Sequence, residues 1–139
     1  MNLSKNFSLS ELTYSSTAIA NKVSNTPGRL ELENLKKLCN EILQPIRDRY
    51  GNSIYVNSGY RSPMVNRLVG GSASSQHIKG EAADITVGSK EGNKKLFDLI
   101  VKMIEDKEIA VGQLIDENDY KWIHISLPYR KVNQILHLK

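Results

Sequence analysis

Cysteine occurs once in 139 residues, at Cys39, tryptophan once, at Trp122, and aromatic residues make up only 6% of the chain. A lone cysteine excludes an intramolecular disulfide and a cysteine-rich metal site, and in an apolar stretch it reads as a small core residue. No apolar run approaches the ~20 residues of a membrane span. The opening Met1-Asn2-Leu3-Ser4-Lys5-Asn6 has no apolar leader segment. Synthesis and folding in the cytoplasm are therefore expected, with any later exit by another route such as lysis. There is no run of Lys or Arg, no basic stretch interleaved with aromatics, no internal repeat and no low-complexity segment. The net charge of +4 suits solubility or attraction to an acidic polymer. It carries no nucleic-acid signature, and no nucleic-acid partner is expected.

What is present is ordinary globular composition, 40% hydrophobic and 24% charged. The length suits one domain, residues 1–139, around one core, and a monomer is expected. Ser8 with Glu11 three residues on forms a capping box that starts a helix. From Arg29 to about Tyr50, Leu30, Leu35, Leu38, Cys39, Ile42 and Leu43 recur at helical spacing. Pro45 kinks that helix or starts a new turn. Ile54-Tyr55-Val56 is a short strand, and Pro63 starts a short helix over Met64–Val69. Ser89 caps a helix from Lys90 to Asp106 with Leu96, Phe97, Leu99, Ile100 and Ile104 inward. Ala83–Val87, Val111–Ile115 and Trp122–Leu127 read as strands, the last two joined by a polar turn at Asp116–Lys121. The tail Tyr129–Lys139 is a further strand or a docking segment. These elements define an α+β fold.

The chemistry concentrates in Ser75-Gln76-His77-Ile78-Lys79-Gly80-Glu81-Ala82-Ala83-Asp84 and in Trp122-Ile123-His124. Two imidazoles and a carboxylate suit zinc, and three protein ligands leave a fourth position for water. Strand side chains alternate faces, so Ala83, Ile85 and Val87 point one way and Asp84 the other. Likewise Ile123, Ile125 and Leu127 oppose His124. Neighbouring strands would set Asp84 and His124 on one face, with aliphatic side chains behind. The third histidine, His137, has no supporting pattern and reads as structural or exposed.

Ser75-x-His77-x-x-Gly80-x-Ala82-x-Asp84 follows Ser58-Gly59-Tyr60-Arg61-Ser62-Pro63 and precedes Gln113-Leu114-Ile115 and Trp122-Ile123-His124. This pattern resembles the M15 family of zinc peptidases. Within it, the chain is most similar to the small single-domain branch of D-Ala-D-Ala carboxypeptidases and phage-associated wall peptidases. The resemblance runs from Phe7 to Leu127 and includes Leu9, Glu11 and Leu12 at the start. It implies a small, mainly antiparallel sheet with helices leading, a helix against one face and zinc on the other. The Hedgehog signalling domain shares this scaffold, so scaffold alone does not establish hydrolysis.

The resemblance implies one zinc ion on His77, Asp84 and His124. It implies that Arg61 binds a substrate carboxylate or polarises its carbonyl through its planar fork of donors. Ser75, Gln76 and Tyr60 are the further substrate-side candidates, and Gly80 supplies a backbone conformation or a close approach. Many members carry an acidic base three residues before the second histidine, where this chain has Lys121. The acidic candidates here are Glu117 first and Asp116 second, with Asp119 also in the turn. The implied substrate is a peptidoglycan stem peptide, cut as a D-Ala-D-Ala carboxypeptidase or as an endopeptidase of endolysin type. A holin-type pore or lysis would then deliver the protein to the wall. The alternative is a catalytically silent zinc-containing wall-binding module or a phage structural protein.

Overall fold

A computed structural model describes residues 1–139. The chain opens with a strand pair, β1 (Asn2–Ser4) against β2 (Phe7–Ser8), that periodicity does not reveal. Ser8 then caps α1 (Leu9–Thr13) through the reciprocal box with Glu11, and Ser15 caps α2 (Ser16–Asn21). A long rod follows: α3 (Arg29–Leu38), a π-helical segment (Cys39–Leu43) and α4 (Gln44–Tyr50). Pro45 has no N–H and its ring would strike the preceding turn of a regular helix. The π segment resolves this by spacing, because the Gln44 N–H bonds the Cys39 carbonyl five residues back. The rod therefore continues through the proline. It buries Leu35, Leu38, Cys39, Ile42, Leu43 and Ile46, while Leu30, expected on the inner stripe, is exposed.

Five strands form the main sheet in the order β3 (Tyr55–Ser58), β4 (Ala82–Thr86), β6 (Trp122–Ser126), β5 (Gln113–Glu117), β7 (Gln134–Leu138). All pairs are antiparallel except the outer β5–β7 pair. The architecture is α+β. Strand β5 begins two residues later than the apolar pattern suggests. Gly112 and Gln113 are tied instead to Ser126, whose carbonyl accepts from Gly112 and whose hydroxyl accepts from Gln113. Asp116 and Glu117 consequently lie in the strand, and the turn is confined to residues 118–121. The tail resolves into β7.

Helix α5 (Pro63–Leu68) is capped by Ser62, and α6 (Lys90–Glu105) by Ser89. Leu96, Phe97, Ile100, Met103 and Ile104 of α6 join Ala83, Ile85, Leu114, Ile123 and Ile125 of the sheet in one core with the long rod. Burial of this apolar surface is the main stabilising contribution. One sheet face is thus spent on the core, leaving the other face of β4 and β6 for polar side chains. No helix is long and apolar enough to cross a membrane.

Candidate metal centre

Asp84 on β4 and His124 on β6 are direct cross-strand partners, so both side chains leave the sheet on the face away from the core. His77 comes from outside the sheet, on a 3-10 turn at Gln76–Lys79 that Ser75 caps by accepting the His77 N–H at 3.2 Å. Gly80 ends this turn with φ +72°, and a Cβ there would stand 2.5 Å from the Glu31 carbonyl oxygen. Both the left-handed conformation and the close approach require glycine. The turn is docked on an earlier segment by the Arg61 backbone N–H, which donates to the His77 carbonyl at 3.1 Å.

The three side chains converge. His124 Nδ1 lies 3.0 Å and His77 Nε2 lies 3.4 Å from Asp84 Oδ1. One ligand atom from each residue falls within 4.8 Å of the others. The ring orientations are fixed from behind. His77 Nδ1 donates to the Gly59 carbonyl at 2.7 Å, which turns the Nε2 lone pair toward the cluster. His124 Nε2 donates to Gln76 Oε1 at 2.9 Å, which turns Nδ1 toward it. Such outer hydrogen bonds set tautomer and ligand basicity at metal sites. Burial opposes charge on Asp84; where protons on the two rings stand in for the ion, hydrogen bonds from His124 and His77, and their charge, outweigh it. The carboxyl is held well below the usual carboxylate range, ready to act as an anionic ligand. Two oriented imidazoles and an ionised carboxylate fit a zinc-type ion.

The cluster lies in a cleft of about 640 Å³. Arg61, Ser75, Gln76 and Glu117 line it with the three ligand residues. Arg61 donates to Ser75 Oγ at 3.4 Å, and its buried Nε has no hydrogen-bond partner. Burial lowers its pKa from the ordinary guanidinium value, while Asp84 and Glu117 pull in the opposite sense. Ile115 pairs with His124, so Glu117, two residues further along β5, shares the ligand face. Glu117 Oε2 accepts from the Trp122 indole N–H at 3.1 Å.

Other candidates fall elsewhere. Asp116 pairs with Ile123 and points through the sheet to the opposite face, where it is buried and bound to the His137 ring. It cannot reach the cluster. Asp119 sits in the exposed turn, paired with Lys90, and Lys121 lies in the same turn outside the cleft. Tyr60, expected as a cleft wall, is instead packed in the core. Gln76 does line the cleft, but its side-chain oxygen is engaged by His124. The Gly59 carbonyl and the Gln76–His124 contact escape sequence reasoning. A backbone acceptor leaves no residue-type signal, and a contact across 48 residues leaves no periodic one.

A family model described as Peptidase M15 matches residues 5–126. No curated protein matches the chain. The matched region begins before β2 and ends with β6, so it holds all three converging side chains, and β1 and β7 lie outside it. By this match over most of its length, the chain belongs to the M15 peptidase family and is a zinc-type peptidase in general class.

Proposed function

We propose that this protein hydrolyses peptide bonds in bacterial peptidoglycan stem peptides, with zinc held by His77 Nε2, the Asp84 carboxylate and His124 Nδ1. The observation that carries the reading is the sharing of one cleft by this cluster, a carboxylate and a guanidinium. A zinc ion held by these three residues would supply an acidified water and polarise the scissile carbonyl.

The remaining steps belong to the chain. Glu117 is the proton carrier. One of its oxygens is occupied by the Trp122 indole, and the other is free to take a proton from the attacking water. The hydroxyl adds to the carbonyl carbon, and the C–N bond then breaks. Glu117 returns the proton to the leaving amine, so atoms and charge balance. Arg61 donates hydrogen bonds to the oxyanion or to a neighbouring substrate carboxylate. Ser75 steadies the guanidinium and also caps the turn that carries His77. Lys121 does not line the metal-site cleft, and its backbone N–H donates to the Glu117 carbonyl at 3.0 Å.

Bonds of the D-Ala-D-Ala type, at a chain end or in a cross-link, are the leading targets. Delivery to the wall by lysis or through a holin-type pore completes the proposal. The test is hydrolysis of defined stem peptides by the wild-type protein and by Glu117→Gln. Loss of about 10²–10⁴ in kcat at unchanged zinc content is expected for the variant. Undiminished turnover would remove Glu117 from the mechanism.

A further inference from the structure

We propose that the substrate continues past the scissile bond into a second hollow beyond Trp122, where it presents a carboxylate to Lys121. This inference rests on the peptidase reading above. Side chains on one face of a strand recur every second residue, about 7 Å apart. Moving from Asp84 along β4 and from His124 along β6, the next residues on the ligand face are Thr86 and Trp122. Both line a polar hollow of about 490 Å³. Trp122 is also a wall of the metal-site cleft, so the two spaces adjoin. A peptide extended across the cluster reaches the hollow about two residues from the cut bond, whereas a free dipeptide does not reach it.

The hollow is built rather than incidental. Asn93 of α6, 1% exposed, holds both of its lips. Its Oδ1 accepts from the Val87 N–H at 2.8 Å, at the end of β4. Its Nδ2 donates to the carbonyls of Tyr120 at 2.9 Å and Lys121 at 3.1 Å, in the opposite turn. That turn carries three successive left-handed residues, Asn118, Asp119 and Tyr120, with φ of 50°, 57° and 64°. Asparagine and aspartate adopt this conformation readily in turns, whereas for Tyr120 it is uncommon. Trp122 is fixed by its bond to Glu117.

The charge in the hollow is one-sided. Lys90 is neutralised by Asp119, whereas Lys121 forms no ion pair. An ammonium group beside hydroxyls and a fixed indole selects an anionic group on the substrate. The class implied is an oligopeptide with a free carboxylate about two residues from the scissile bond.

The test uses the zinc-loaded full chain and synthetic stem-peptide fragments of increasing length, each with that carboxylate free or amidated. A preference of about tenfold in kcat/KM for the free carboxylate is expected, expressed in KM. Lys121→Glu should shrink the ratio between free and amidated peptides to below about twofold, and Lys121→Arg should restore it. Equal cleavage of dipeptides and longer peptides, or an unchanged ratio in Lys121→Glu, overturns the hollow while leaving the peptidase reading intact. If no peptide is cut, the peptidase reading fails, and amide and indole NMR shifts during titration with the same peptides decide the hollow. Shifts at Trp122 and Lys121 with the free carboxylate alone support it. Their absence overturns it.

Discussion

The side-chain oxygen of Gln76 accepts the Nε2 proton of His124 at 2.9 Å, joining two residues 48 positions apart in the chain. His77 is oriented by a backbone carbonyl, which no side-chain substitution removes. His124 is oriented by a side chain, and its ligating tautomer therefore depends on one replaceable residue.

Gln76→Ala should weaken zinc binding about 10–100-fold, as loss of outer-sphere partners does elsewhere. Gln76→Glu keeps an acceptor and should bind at least as tightly as wild type. Competition with a chromophoric chelator reads both. Equal zinc affinity in Gln76→Ala would show that His124 needs no such partner.

Asp116 and Glu117 are adjacent acids on opposite faces of β5. Asp116→Asn should leave kcat within about twofold of wild type, in contrast to the 10²–10⁴ loss at Glu117→Gln. His137→Ala deprives a buried carboxylate of its partner and should lower stability by about 1–2 kcal/mol in urea unfolding. An Asp116→Asn variant as inactive as Glu117→Gln would contradict the assignment of faces.

Cys39 is fully buried in the π segment, and burial, followed by the nearby Glu11 charge, pushes its thiol up to about 12 from an ordinary 9.0. The folded protein should resist thiol reagents at pH 8 and react fully in denaturant. Between about pH 9 and 12 the unfolded thiol ionises and the folded one does not, so this group's contribution to stability falls as pH rises. Rapid modification of the native protein at pH 8 would refute the burial.

Much of the site is legible where strand alternation governs it. Asp84 and His124 share a face because Ile85, Ile123 and Ile125 demand the other. His77 is different. It lies on a 3-10 turn with no periodic signature, and only the spacing of the family motif points to it. The choice between Glu117 and Asp116 turns on where β5 lies. Strand periodicity has two phases, and the Ser126 contacts that set the start of β5 are tertiary. Tyr60 misleads for a related reason. It borders Arg61 in the chain, yet the intervening backbone turns its ring into the core. The π segment before Pro45 is equally hidden, because kinked and π-spaced helices bury similar apolar residues.

The most direct measurement is mass-resolved digestion of purified stem peptides with zinc, with chelator, and with chelator followed by zinc. Cleavage abolished by chelator and restored by zinc is the result this account predicts, with the product mass naming the bond. Cleavage that persists in full under chelator, or no product from any stem peptide with zinc demonstrably bound, would contradict it.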